Sequence, residues 1–203
     1  MVTKHFFSIL LGCLTALCIT SCLGSDDDAN NSSKGLSKAE IAQCYLTVGG
    51  NYSGDLLYFS KSDDGLFEEV DTLNGAWYIP TDSTLFITDF PSEVLAENVI
   101  YSELKDALAD APDQIVKCRI RFVETSPVQF LVNPYTLEYM LHYGGGDHKV
   151  QVVFYNENIY SFGILNAESR ELMLKIIPAY LYVDGKQTNY LTQSQIIFVS
   201  RKQ

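Results

Sequence analysis

The chain has 203 residues, with 14 Lys and Arg against 25 Asp and Glu, and a formal net charge of −11. A field of that sign repels phosphate backbones and acidic headgroups alike, which excludes nucleic acid held by counterion release and adsorption to an anionic bilayer as leading functions. The same charge serves solubility and names no ligand by itself.

In chain order, the first segment carries Lys4, an apolar run from Phe6 to Leu17 and small polar residues before Cys22, the layout of a secretory signal. The run is too short to span a bilayer. Residues 1–21 are therefore expected to be a leader. Ile19, Thr20, Ser21 and Cys22 resemble a bacterial lipobox, in which an aliphatic and a small residue let the lipoprotein signal peptidase cut before an acylated cysteine. That resemblance implies a lipid on Cys22. Cys18 follows bulky Leu17, a poor fit at the cleaved bond, and Cys13 would leave too short an apolar segment. Each buried methylene contributes roughly 0.8 kcal/mol, so two or three acyl chains anchor the protein to the membrane without spanning it. Ser25, Asp26, Asp27 and Asp28 resemble the export signal of Bacteroidetes lipoproteins, which implies an outer-membrane protein facing the cell exterior. The bland alternatives are an ordinary cleaved signal with a fortuitous cysteine and a solvated acidic linker. Residues 22–35 hold little to bury and are read as a disordered tether spanning on the order of 20 Å.

Residues 36–203 have the size of one domain with a substantial core. Of the five cysteines, Cys13 and Cys18 leave with the leader and Cys22 is acylated, so Cys44 and Cys118 remain. The sequence leaves open a disulfide between them, whose long loop would stabilise by about 4 kcal/mol, or two buried thiols. Ser37 with Glu40 forms a capping box and Leu36 staples onto Ile41, predicting a helix that ends near Tyr45. Gly49 and Gly50 then release a strand over Tyr52–Ser60. Turn residues recur at Asp64 with Gly65, Asn74 with Gly75, Gly144 to Asp147, Asn156 to Asn158, and Asp184 with Gly185. Between them Val116, Cys118, Ile120 and Phe122 alternate with Lys117, Arg119 and Arg121, the period of a half-buried strand. Val150, Val152 and Phe154 repeat it. Leu172, Leu174 and Ile176 open a long strand that Pro178 is expected to bend or bulge, and Ile196 to Ser200 form the last. One helical insertion, Pro91 to Asp110, interrupts the series, with Ser102 read as its cap and Pro112 as its stop.

Roughly eight to ten antiparallel strands with one or two short helices predict a mainly β fold, a barrel or a two-sheet sandwich. The barrel is favoured because it removes exposed edges, with the first helix plugging one end. Gly50, Asn51, Tyr52, Ser53 and Gly54 resemble the opening of calycin-like barrels. The whole layout, carried by Cys22, Ser25 to Asp28 and Asn51 to Gly54, resembles Bacteroidetes surface lipoproteins built on a domain of unknown function. The resemblance implies a location and a β fold, and no activity.

Chemistry is sparse. Glu138, His142, Asp147 and His148 can be drawn as a metal cluster, but residues 135–143 alternate as a strand and the strong zinc spacings are missing, so no metal site is assigned. Ser102 and Lys105 spell a serine-x-x-lysine without its partner motifs, and no nucleophile elbow, phosphate loop or dinucleotide fingerprint occurs. Asp63, Asp64 and Gly65 read as a hairpin turn rather than a calcium loop. No catalytic residue and no cofactor is assigned. What stands out is 13 Tyr and 11 Phe beside one Trp, a supply of stacking surface that suits recognition and also suits strands. Tyr139 with Tyr143, and Tyr180 with Tyr182, alternate as strand faces do, and Trp77 is assigned to the core. The expected function is non-enzymatic binding of an outer-membrane protein partner or an extracellular glycan. A barrel carrying a small apolar ligand is the alternative, and a hydrolase or a structural envelope role follows.

Overall fold

Ser37 opens the ordered chain with both halves of its capping box: its hydroxyl accepts from the Glu40 amide and the Glu40 carboxylate accepts from its own. The fold is that of a computed structural model, which describes residues 35–61, 66–80, 82–157 and 159–202. The expected leader, the acylation site Cys22, the export run Ser25 to Asp28 and the Asp63 to Gly65 turn lie outside the described residues.

Helix α1 (Lys38–Val48) runs a turn beyond Tyr45 and buries Cys44, Tyr45 and Val48. Twelve strands follow among the described residues: β1 (Gly50–Lys61), β2 (Phe67–Ile79), β3 (Thr84–Phe90), β4 (Gln114–Thr125), β5 (Val128–Pro134), β6 (Leu137–Tyr143), β7 (Gly146–Phe154), β8 (Phe162–Leu165), β9 (Glu171–Ile176), β10 (Pro178–Val183), β11 (Lys186–Thr188) and β12 (Ser194–Lys202). Two further helices, α2 (Ser92–Ala96) and α3 (Ser102–Ala109), lie between β3 and β4. Eight strands close an antiparallel barrel in the order β1-β12-β9-β8-β5-β4-β3-β2, and β11-β10-β7-β6 form a separate sheet. The barrel that the turn-and-alternation pattern favoured is therefore present and the two-sheet sandwich is not. The strand number exceeds the expectation because the sequence pattern does not register the extra sheet as a second layer, and the helix number does because the one expected insertion holds two helices.

Followed around the barrel, the strands form a simple up-and-down meander, so successive strands point in opposite directions. The excursions α2–α3, β6–β7 and β10–β11 leave after β3, β5 and β9, strands of one direction, and hence from one end. Helix α1 enters at the other end: Tyr45 packs edge-on to Phe122 at 4.7 Å, and the Tyr52 hydroxyl donates to the Val48 carbonyl. The interior is filled by Trp77, Tyr52, Phe90, Phe130, Phe198, Leu56 and Leu85, with Tyr52 stacked on Trp77 at 6.0 Å and Phe198 edge-on to it at 5.5 Å. Leu137, Tyr139, Leu141, Val150, Val152 and Leu181 of the second sheet belong to the same core. At the capping end the Ser92 hydroxyl bridges the Pro112 carbonyl and the Tyr139 hydroxyl.

Several local expectations need correction. Asn74 and Gly75 do not turn the chain; they lie inside β2, opposite Asp55 and Gly54, where Gly75 leaves room for Phe198, Leu56 and Trp77. The Pro91 to Asp110 insertion is two helices, and Ser102 is the first residue of α3 rather than its cap, which is Tyr101 with no side-chain hydrogen bond. Leu104 and Leu108 are buried on α3 as its spacing implies. Pro178 does not bend one long strand: it starts β10 as the chain passes from barrel to second sheet, with a register shift beside it. Asn156 lies in a crossing between the two sheets, not in a hairpin. Gly144 with Gly145 and Asp184 with Gly185 are two-residue turns with positive φ throughout, as their composition requires.

Candidate functional site

With the barrel interior occupied and helices or strands over both ends, the outer walls and one cleft at the α2–α3 end are left for a ligand among the described residues. One wall gathers side chains that no single stretch of sequence displays together. On β4 the residues Val116, Cys118, Ile120 and Phe122 point inward, and Lys117, Arg119 and Arg121 point out. Register sets Phe86 of β3 beside Lys117 and Tyr78 of β2 beside Phe86. The Tyr78 and Phe86 rings stack at 4.8 Å and 12°. Tyr135 follows β5, and its amide donates to the Lys117 carbonyl at 2.9 Å, which brings its ring to the other side of the lysine. The Lys117 ammonium then sits 5.6 Å from the Phe86 ring and 5.8 Å from the Tyr135 ring, both within cation–π range. Tyr135 is 55% exposed and Tyr78 37%.

The next row is polar. Glu157, in the crossing from β7 to β8, holds a positive φ of 51°, a conformation a non-glycine residue keeps only where its surroundings impose it. They do so here. Its amide donates to Asn133 Oδ1, Asn133 Nδ2 donates back to its Oε1 at 3.1 Å, and Arg119 donates to the same oxygen at 3.1 Å. Arg121 reaches Oε2 through Nε at 3.1 Å and a terminal nitrogen at 2.7 Å. These bonds, Arg121's foremost, hold the Glu157 carboxyl below the usual glutamate range. The anchored crossing also sets Tyr155 beside both Tyr160 and Tyr180 of β10, with ring centroids 6.5 and 6.2 Å away. All three tyrosines are exposed.

The residues singled out from sequence fall elsewhere. Glu138 meets Lys149 at 2.9 Å and Gln151 at 2.7 Å, His142 meets Asp147 at 2.7 Å, and His148 meets Asp184 at 2.8 Å. They are separate pairs, and among the described residues no three His, Cys, Asp or Glu side chains are placed to share a metal. Lys105 pairs with Glu97 at 3.0 Å. Cys44 and Cys118 are unbonded, buried thiols in the shared core, and burial pushes the Cys118 thiol far up. Tyr139 is core, Tyr143 is half-buried and Tyr180 is exposed. A cleft of about 360 Å³ at the α2–α3 end is lined by Asn74, Asp89, Glu93 and Asp113 among others. Its carboxylates would meet cations, but they form no metal-binding group.

Sequence reading missed Tyr78, Phe86, Tyr135, Asn133 and Glu157. The outward run Lys117, Arg119, Arg121 was legible as a strand face, and a row of three cations in so acidic a chain was the available signal.

Comparison with known proteins gives one family. A family model described as Domain of unknown function (DUF4840) matches residues 47–183, a span that contains every residue of the wall just described. No curated protein matches the chain. Among solved structures, the ywiB protein from Bacillus subtilis is similar at 8% identity and a TM-score of 0.31, over 76% of this chain and 92% of that one.

Proposed function

The chain belongs to the family described as Domain of unknown function (DUF4840), and from that premise we propose that it is a non-enzymatic binding module of a lipid-anchored surface lipoprotein. Acylation of Cys22 holds it in the outer membrane, the run Ser25 to Asp28 directs it to the cell exterior, and residues 22–35 tether the domain. The module engages an extracellular glycan or a partner protein through its outer wall.

The observation that carries this reading is the outward row Tyr78, Phe86, Lys117 and Tyr135, exposed but for the half-buried Phe86, in which a cation sits between aromatic rings on a rigid barrel face. Aromatic rings on fixed strands lose little entropy on binding and offer flat apolar area with a polar edge. A closed barrel also denies an incoming chain any free edge along β4, so recognition runs through side chains rather than strand addition. The alternative of an apolar-ligand carrier needs interior space, and the positions that would line it are filled by Trp77, Phe130 and Phe198.

The test is recovery of cross-linked partners from intact cells together with binding to a panel of extracellular polysaccharides, comparing the parent with Tyr78→Ala/Tyr135→Ala. Loss of the captured ligand by tenfold or more, at an unchanged melting temperature, is the expected outcome. Undiminished capture by the folded double variant would remove this wall from the function.

A further inference from the structure

Resting on that reading of the wall, we infer that its ligand is an anionic polysaccharide, bound through carboxylate or sulfate groups by Lys117, Arg119 and Arg121 while sugar faces lie on Tyr78 and Tyr135, the Phe86 ring being stacked between Tyr78 and Lys117. The three cations occupy successive outward positions of one strand, about 7 Å apart at two residues per step. One carboxylate, Glu157, answers both arginines, and Lys117 lies beside the Phe86 and Tyr135 rings and makes no ion pair among the described residues. The wall therefore keeps an excess of positive charge in a chain of net charge −11.

Glu157 prepares the arginines rather than cancelling them. It takes one terminal nitrogen of Arg119 and one edge of Arg121, and each guanidinium has five donors in a fixed fork. The arginine side chains remain 62% and 55% exposed, so their open edges face solvent already oriented for a planar anion. Ordering two long side chains before the ligand arrives removes part of the entropic cost of binding.

The rings select among polyanions: a nucleic-acid duplex presents phosphates and sugars outward and keeps its bases stacked inside, with no flat apolar face for Tyr78 and Tyr135. An acidic polysaccharide sets its charges one sugar unit or more apart, with apolar C–H faces between them for the flanking rings. Salt screening over roughly 8 Å keeps the acidic remainder of the surface from cancelling this local patch.

Affinity electrophoresis of the folded domain decides the matter, with polygalacturonate and chondroitin sulfate as acidic probes and dextran and laminarin as neutral ones. The parent is compared with Lys117→Gln/Arg119→Gln/Arg121→Gln and with Tyr78→Ala/Tyr135→Ala, each checked for a native melting transition. The expected result is retardation by an acidic polymer that weakens steadily with added salt and falls at least tenfold in both variants. Retardation by neutral polymers alone, indifferent to the glutamine variant and lost in the tyrosine variant, overturns the anionic ligand while leaving the binding wall in place. Retardation by no polysaccharide, or capture of an acidic or phosphorylated peptide in its stead, overturns it as well. Should the glutamine variant fail to melt cooperatively, Lys117→Gln alone serves, since Lys117 makes no ion pair among the described residues that its loss would break, and an unchanged retardation would count against the inference.

Discussion

Gly54 and Gly75 face each other across β1 and β2, and the first of them governs how closely β12 can approach. A Cβ on Gly54 would run into the Val199 carbonyl oxygen and lie 2.7 Å from Ser200 Cβ. Since backbone cannot swing aside as a side chain can, Gly54→Ala is expected to destabilise the domain by about 1–3 kcal/mol, measured by urea unfolding with the m-value held constant. Glu157 supplies the second residue-scale prediction. Its carboxyl titrates below the ordinary range because it accepts from Arg121 and Arg119. A depressed carboxyl contributes stability that is present above its unfolded pKa and lost as pH falls through its folded one. The group is exposed, so the contribution is small. In a carbon-detected NMR titration Glu157 should protonate below the usual glutamate range. The stabilities of the parent and Glu157→Gln should differ at neutral pH and converge in acid.

Among elements, the first helix and the third make a matched contrast. Ser37 caps α1 through its hydroxyl, whereas Ser102 starts α3 without capping it. Ser37→Ala should therefore cost about 1 kcal/mol and Ser102→Ala less than about 0.5 kcal/mol, by thermal or urea unfolding. The contrast also marks what sequence can and cannot say. The α1 box was legible because all its partners lie within four residues, and β4 because its alternation is unbroken over seven, from Val116 to Phe122. Asn74 and Gly75 misled because turn chemistry and the demand for a missing side chain in a crowded core select the same residues. The second sheet was invisible because Leu137, Tyr139 and Leu141 alternate just as barrel strands do, and only long-range pairing assigns them to a different layer. The proposed binding wall was hidden for the same reason: Tyr78, Phe86, Lys117 and Tyr135 are neighbours only across strands.

At the scale of the molecule, the proposed anchor makes its own prediction. Cys22→Ala should move the protein from the membrane fraction to the soluble one without altering its melting temperature, since the domain's core begins beyond it; membrane retention of the variant would refute acylation at that residue. The barrel is a meander whose seam joins its first strand to its last: Tyr52 lies opposite Lys202 and Leu56 opposite Phe198, while the other edge of β12 pairs with β9. Translation delivers β12 after the remaining seven barrel strands. Until it inserts, β1 and β9 present two unpaired edges, and the cavity lacks the Phe198 ring that packs against Trp77. Such edges template aggregation, and contacts so distant in sequence form slowly. A folding intermediate that lacks β12 is thus an open sheet with two bare edges, and it is most prone to aggregation in the interval before that strand closes the barrel.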